Sequence, residues 1–388
     1  MLPCCDVAML LDNMATSQHI YVLMEKIKRD KNRVDIAKLK ESDLVGDELT
    51  GGYIFRIDKG GPDWISKFDF FRNTDKLKYQ LVYPDIDEVA PAQLKYLRSY
   101  VDSFERAMVD ENLIYGGKPF DEYIDLTSFV EAHILNEIGR NIDGYRFSSY
   151  FHKRKDSKGG KIIAGPVWDF NLAFRNADYC EAAATDALIF EGPCPGSLPF
   201  WWNVLLQNDA FLSLTRCRWE ALRETAFHTD SIFTFIDKQA ALLQPSIDPN
   251  FHRWDVLGNY LWPNPLPLAN TYTEEINLLK EWLTARLQWM DDNIGGTCQM
   301  SVSTTEIEKT APFEVFPNPA VNQIKLLMDE NLMSEIDGIS MINTLGQRFH
   351  LSNTTNNLTF DIRHLIAGVY FIEVQIGRNA YLKKVIIK

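Results

Sequence analysis

The chain has 388 residues, 46% of them hydrophobic and 24% charged, with a formal net charge of -13. That balance is globular, excludes a mainly disordered, collagen-like or coiled-coil chain, and at roughly 100–200 residues per domain predicts two or three domains. The acidic excess disfavours nucleic acid and anionic membrane as partners, and no run approaches the ~20 apolar residues of a bilayer span.

Residues 21–24 (YVLM) read as a buried strand with nothing ordered before it to pair with, so the start reads as cut. The first residues carry no basic segment and only a short apolar one, unlike a signal peptide. Residues 49–83 read as short strands and loops. Leu94, Leu97, Val101, Phe104 and Met108 follow the 3-4 spacing of an amphipathic helix. A second helix starts at the capping candidate Asp125 and stops at Gly139.

Residues 145–152 and 161–168 then read as two strands joined by KRKDSKGG. The loop 176–199 holds Cys180 and Cys194, for which a local bridge and isolated thiols are both open. Helices are predicted at about 200–224, 230–244 and 273–293, the last with Thr273 as cap and Gly295-Gly296 as stop. Phe200-Trp201-Trp202, at helical spacing with Leu205, reads as core before it reads as a stacking platform.

Residues 299–311 form a polar linker between a body, 1–298, and a tail, 312–388. Beyond the linker the period is 2, and six or seven short strands predict a small all-β sandwich. From residue 305 onward nine acidic and eight basic residues nearly cancel, leaving -12 on residues 1–304, and all nine tryptophans precede residue 305.

Chemistry points to residues 137–174. A hairpin centred near Asp156-Ser157 gives cross-strand partners whose numbers sum to about 313. Asp143 then falls opposite position 170, beside Asp169 and Asn171. Oxygen ligands of this kind suit Mg²⁺, and such a carboxylate suits a transferred phosphoryl group. The plainer alternative is that both aspartates cap hairpin turns. The seven histidines are scattered, and Gly51-Gly52 and Gly60-Gly61 are too weak for a phosphate loop.

In order, YVLMEKIKRDKNRVDI (21–36), NIDGYRFSSYF (141–151) and GPVWDFNLAF (165–174) resemble the CotH family of spore-coat-type kinases. The resemblance runs to about residue 295 through FWWNVLL, RWEALR and EINLLKEWLTARLQWM. It implies an α+β fold: an atypical protein-kinase-like body with a truncated N-lobe and a mostly helical C-lobe. It also implies phosphate transfer from ATP to serine or threonine of secreted proteins, with Mg²⁺ or another divalent cation. By motif, Asp143 matches the catalytic-loop aspartate and Asp169 the metal-binding aspartate. Trp168 matches the aromatic on the adenine, and Glu25 lies near the lobe junction. Two residues depart from the pattern. Asn171 stands where many members have Asp, and Ser148 or Ser149 stands where an Asn is expected after Asp143. The strands that would bring a phosphate-binding lysine are missing before Tyr21.

FPNPA (316–320), NTLGQ (343–347), AGVYF (367–371) and the final KKVIIK resemble the type A C-terminal sorting domain of the type IX (Por) secretion system. That implies a Bacteroidetes-type bacterium, the type IX machinery as partner, and a secreted or outer-membrane-surface product that passes through the periplasm. It also implies a signal peptide, which would have been lost with the N-terminus. Two other functions stay open: a non-catalytic kinase-like surface binding protein, and a carboxylate-pair hydrolase acting on glycans.

Overall fold

A computed structural model describes residues 5–11, 18–71, 75–194, 198–298, 312–333, 336–343, 348–351, 358–363, 365, 367–376 and 379–388. The chain divides into two compact units, Met1–Met300 and Ser301–Lys388. The first is α+β.

Strand β1 (Cys5–Leu11) pairs antiparallel with β2 (Gln18–Met24), Val7 facing Val22. The strand expected to lack an earlier partner therefore has one. The segment read as short strands and loops supplies the middle of a sheet: β3 (Tyr53–Ile57), β4 (Trp64–Phe71) and β5 (Lys76–Tyr83). It is completed by β6 (Ser149–Lys153), β7 (Ile162–Ala164) and β8 (Leu198–Pro199) in the order β8-β4-β5-β3-β6-β7, every pair antiparallel. This sheet curls into a half-barrel.

Helix α1 (Pro91–Val109) turns Leu97, Val101, Phe104 and Met108 inward, the stripe its spacing demanded. Helix α2 (Leu126–Gly139) is capped by Asp125, whose carboxylate accepts from the Ser128 amide at 3.0 Å. The helix expected over 200–224 is two, α3 (Phe200–Leu205) and α4 (Asp209–Arg223). Asn208 starts α4 afresh by accepting from the Phe211 amide at 3.0 Å. Helix α5 (Thr229–Arg253) continues through Pro245 and Pro249, beyond the expected stop at 244, and buries Ser246 and Ile247. Helix α6 (Tyr272–Asn293) is capped by Thr271, not Thr273.

Sheet and helices close on an aromatic core. Trp201 and Trp202 are each 2% exposed, so the Phe-Trp-Trp run is core. Trp201 packs 5.7 Å from Phe104 and Phe129 and 5.9 Å from Phe151. Cys180 and Cys194 are bridged. A second, unforeseen disulfide joins Cys217 on α4 to Cys298 beyond α6. The same seam carries Asp291, which Arg223 grips through both oxygens and Trp219 Nε1 meets at 2.9 Å.

The second unit is built of β9 (Phe313–Phe316), β10 (Gln323–Met328), β11 (Ile336–Asn343), β12 (Arg348–His350), β13 (Thr359–Asp361), β14 (Gly368–Ile376) and β15 (Asn379–Ile387). Two antiparallel sheets, β9-β10-β13 and β12-β11-β14-β15, share one core that includes Phe313, Ile324, Met341, Ile372 and Val385. One helical turn, Glu330–Met333, interrupts an otherwise β pattern. Strand β9 ends at Phe316, where Pro317 and Pro319 lack the amide donors a strand needs. The turn expected at Gly346 lies outside the described residues.

Under the first sheet Glu105 of α1 is 1% exposed and accepts from Ser66 Oγ at 2.8 Å and Tyr79 OH at 2.9 Å. Burial pushes its carboxyl up to about 7, against the pull of those two hydroxyls. A carboxyl raised on folding contributes stability below its unfolded pKa and loses it as pH rises through the folded value. Unfolding free energy should therefore fall by up to about 3 kcal/mol between pH 4.5 and 8 from this group. Chemical denaturation of Glu105→Gln should show a shallower pH dependence. An unchanged slope would assign the titration elsewhere.

Candidate functional site

The site gathers at the end of the sheet where β3 finishes and β6 begins, Ile57 facing Ser149. Because β7 runs back alongside β6, residues 165–169 leave Ala164 toward the same end. The observed pairs Phe151–Ala164, His152–Ile163 and Lys153–Ile162 shift the expected hairpin register by two. They also shorten the hairpin: β6 starts at Ser149 and β7 stops at Ala164.

Residues 141–148 form tight turns instead of strand. Gly144 N bonds to Asn141 O at 2.9 Å and Phe147 N to Asp143 O at 2.9 Å, while Tyr145 and Ser148 take positive φ. Gly144 fits closely there, since a Cβ would lie 2.9 Å from the Asn141 carbonyl oxygen and 2.3 Å from Asn136 Oδ1. The reason for the turn is underneath. Tyr145 is buried and donates its hydroxyl to Glu137 Oε1 at 2.8 Å. With that proton used, His133 Nδ1, 2.7 Å away, must be the donor to the Tyr145 oxygen. Burial drops His133 to about 3, so its ring is neutral.

Glu137 is itself fully buried against Arg286 of α6, at 3.4 Å. Burial pushes Glu137 above the usual carboxylate range, while Arg286, the Tyr145 hydroxyl and the Ile189 and Phe190 amides pull it down. Arg286 is lowered by burial to about 10, so it stays charged at neutral pH. Its guanidinium also holds the carbonyls of Glu137 at 2.6 Å and Ala187 at 2.7 Å, and Arg140 holds Ala187 O at 2.7 Å and Glu181 O at 2.8 Å. The irregular stretch 176–194 is thus tied to the same ion pair as the turn bearing Asp143.

Asp143 is nearly buried. Lys59 Nζ lies 3.2 Å from Oδ2, and Arg146 NH2 lies 3.1 Å from Oδ1. Tyr179 stands in the field of this group: burial raises its hydroxyl, Asp143 adds to the rise, and Arg146 and Lys59 oppose it. The Tyr179 ring stacks on the exposed Trp262 at 5.8 Å. Beside Lys59, Asp58 lies 3.4 Å from Arg56 and accepts from the Ser148 amide at 3.2 Å. Ser148 Oγ in turn lies 3.5 Å from Asp169 Oδ2. Asp143 and Asp169 are therefore joined by a short series of contacts through Lys59, Asp58 and Ser148. Asp169 has φ 61 and an exposed side chain. Asn171 is exposed, and its carbonyl accepts from Asn176 Nδ2 at 2.6 Å.

Trp168 and Glu25 belong to a neighbouring cavity. Both line this space, of about 540 Å³, with Arg33, Ser128, His152 and Arg154. That size is in the range of small-ligand sites, ~300–1,000 Å³. Trp168 packs edge-on to Tyr150 at 6.4 Å, and Glu25 pairs with Arg33 at 2.7 Å. Among the described residues no three His, Cys, Asp or Glu side chains form a ready-made metal cage. A divalent ion that arrives with a polyphosphate needs only one or two protein carboxylates, so the exposed Asp169 carboxylate remains a fitting ligand.

Asp58, Lys59, Arg146 and Tyr179 were not foreseen. Lys59 stands 84 positions from Asp143 in sequence, and no local motif marks the pairing.

Two family models match the chain. One, described as CotH kinase protein, covers residues 9–290. The other, described as secretion system C-terminal sorting domain, covers residues 314–388. No curated protein matches it.

Removing Arg286 leaves Glu137 buried without its counter-charge. Arg286→Leu should lower the unfolding free energy of the body by about 3–5 kcal/mol in urea titration. A loss below ~1 kcal/mol would mean that the amide and hydroxyl donors alone hold Glu137.

Proposed function

The chain belongs to the CotH kinase protein family, and from that membership we propose that its body is an atypical protein kinase. It transfers the terminal phosphoryl group of ATP to serine or threonine hydroxyls of secreted proteins. The observation that carries this reading is the linked pair Asp143 and Asp169 at one sheet end, with the Trp168–Glu25 cavity built from the flanking segments.

On this reading the adenine enters the cavity against Trp168, with residues 25–27 at its edge. Asp169, with Asn171, would hold Mg²⁺ or another divalent cation, which when bound neutralises charge on the phosphates. Asp143 accepts the proton of the acceptor hydroxyl as its oxygen attacks the terminal phosphorus and the bond to the ADP oxygen breaks. Arg146 keeps the Asp143 carboxylate aimed, because Nε of the same guanidinium donates to the Ile142 carbonyl at 3.0 Å. The fold of the body as protein-kinase-like is part of the same proposal. A second reading, a non-catalytic binding protein on the same scaffold, is favoured by Asn171, which carries no charge where many members have Asp.

The tail, on this proposal, engages the type IX machinery and carries the chain through the periplasm to the cell surface or beyond. No described helix is long and apolar enough to cross a membrane.

Radiolabel transfer from ATP to secreted serine- and threonine-containing proteins tests the kinase reading, with calorimetry of Mg·ATP beside it. Asp169→Ala should weaken Mg·ATP binding and cut turnover by ~100-fold or more. Asp143→Ala should remove transfer and spare binding. A wild-type chain that neither binds Mg·ATP nor labels any acceptor would leave the binding-protein reading in its place. For the tail, deletion of residues 312–388 in a host with type IX secretion, behind an export signal, should strand the body in the periplasm. Continued surface display would remove the sorting role.

A further inference from the structure

We propose that Lys59 is a further catalytic residue: it releases Asp143 and binds the terminal phosphoryl oxygens during transfer. This rests on the kinase reading of the site.

Asp143 has two cationic partners of different kinds. Arg146 is mostly buried, with a side chain 12% exposed, and is anchored on a backbone carbonyl. Lys59 is the opposite, its side chain 68% exposed. A flexible, solvated lysine gains little from such a pair, because screening and lost side-chain freedom offset the attraction. Asp143 does not need it for shape, since Arg146 already fixes the carboxylate. Yet the backbone beneath Lys59 is held firmly. Gln80 Nε2 donates to the carbonyls of Lys59 and Gly61, each at 3.0 Å, and Asp58 is pinned by Arg56 and Ser148. A hydrogen-bonded backbone thus carries a solvent-exposed ammonium head. The head rests 5.0 Å from the Phe147 ring, a weak, non-directional perch.

Position supplies the rest. Asp58, next to Lys59, is linked through Ser148 to Asp169. The ammonium thus touches the aspartate assigned to the acceptor proton, and its chain neighbour Asp58 touches the serine beside the aspartate assigned to the metal-bound phosphates. An anionic phosphoryl group arriving there competes with Asp143 for it. When Nζ turns to that group, Oδ2 is freed to take the hydroxyl proton. Lys59 stays protonated throughout. The bond formed is acceptor oxygen to phosphorus, the bond broken is phosphorus to the ADP oxygen, and the proton ends on Asp143. Lys59 comes from the loop after β3, not from the turn that bears Asp143, so local sequence could not reveal it.

The test uses the full chain. Lys59→Ala should melt at the wild-type temperature, since the side chain is exposed. Its turnover should fall by ~100-fold or more. Its affinity for Mg·ADP should hold, while that for a Mg-bound non-hydrolysable ATP analogue should drop about tenfold, because only the terminal phosphate contact is lost. Lys59→Arg should recover part of both. Turnover of Lys59→Ala near the wild-type value, or equal weakening of ADP and the analogue, would overturn the assignment while leaving the kinase reading intact. A wild type with no transfer that Asp143→Ala can abolish would overturn both.

Discussion

Most of what positions the site traces to one buried ion pair, Glu137 with Arg286. Two charges withdrawn from water are costly unless their remaining hydrogen-bonding capacity is met. Here the need is met by groups that would otherwise have no reason to converge. Glu137 recruits the Tyr145 hydroxyl and the amides of Ile189 and Phe190. Arg286 recruits the carbonyls of Thr185, Ala187 and Glu137. The requirement to satisfy the pair therefore orders an irregular loop, a tight turn and two helices at once. Asp143 sits two residues from Tyr145 and inherits that order.

The two parts of the site are held differently. Asp143 stands on the helical side, fixed from below by Tyr145 and from the side by Arg146. Asp169 stands on the strand side, exposed, with the Ser148 hydroxyl as a neighbour at the edge of hydrogen-bonding distance. On the proposed reading, a carboxylate held by two cations and a solvated one suit a reaction in which one group is aimed and the other accommodates a hydrated ion. The exposed Trp262, stacked on Tyr179, extends the Asp143 side outward.

What the sequence disclosed was what depends on local rules. The stripe of α1, the Asp125 cap and the period-2 tail follow from spacing, and each is present. The family motifs brought Asp143, Asp169, Trp168 and Glu25 into view without their geometry. The misreadings share a cause, tertiary demand overriding local pattern. Residues 145–148 look like strand, but Tyr145 must reach Glu137 and Ser148 must meet Asp58. Pro245 looks like a stop, but α5 packs on β2 and α6 and runs on. Leu206 to Asn208 look helical, but Asn208 caps a new helix. Lys59 was invisible because its partner is remote in sequence and its own surroundings, Asp58 and Gly60-Gly61, resemble an ordinary turn.

The disulfide from Cys217 to Cys298 has a mechanical meaning. Cys298 follows α6 by five residues, and the hydroxyl of Ser213, near Cys217, donates to the carbonyl of Thr297 at 2.9 Å. Any tension applied to the chain beyond residue 298 enters the body there. The covalent bridge passes that tension to the middle of α4, so α6 lies off the load path. Without the bridge, a pull from the tail would unzip α6 from its C-terminal end toward Arg286. With it, a traction event at one end of the polypeptide leaves the ion pair beneath Asp143 unstressed.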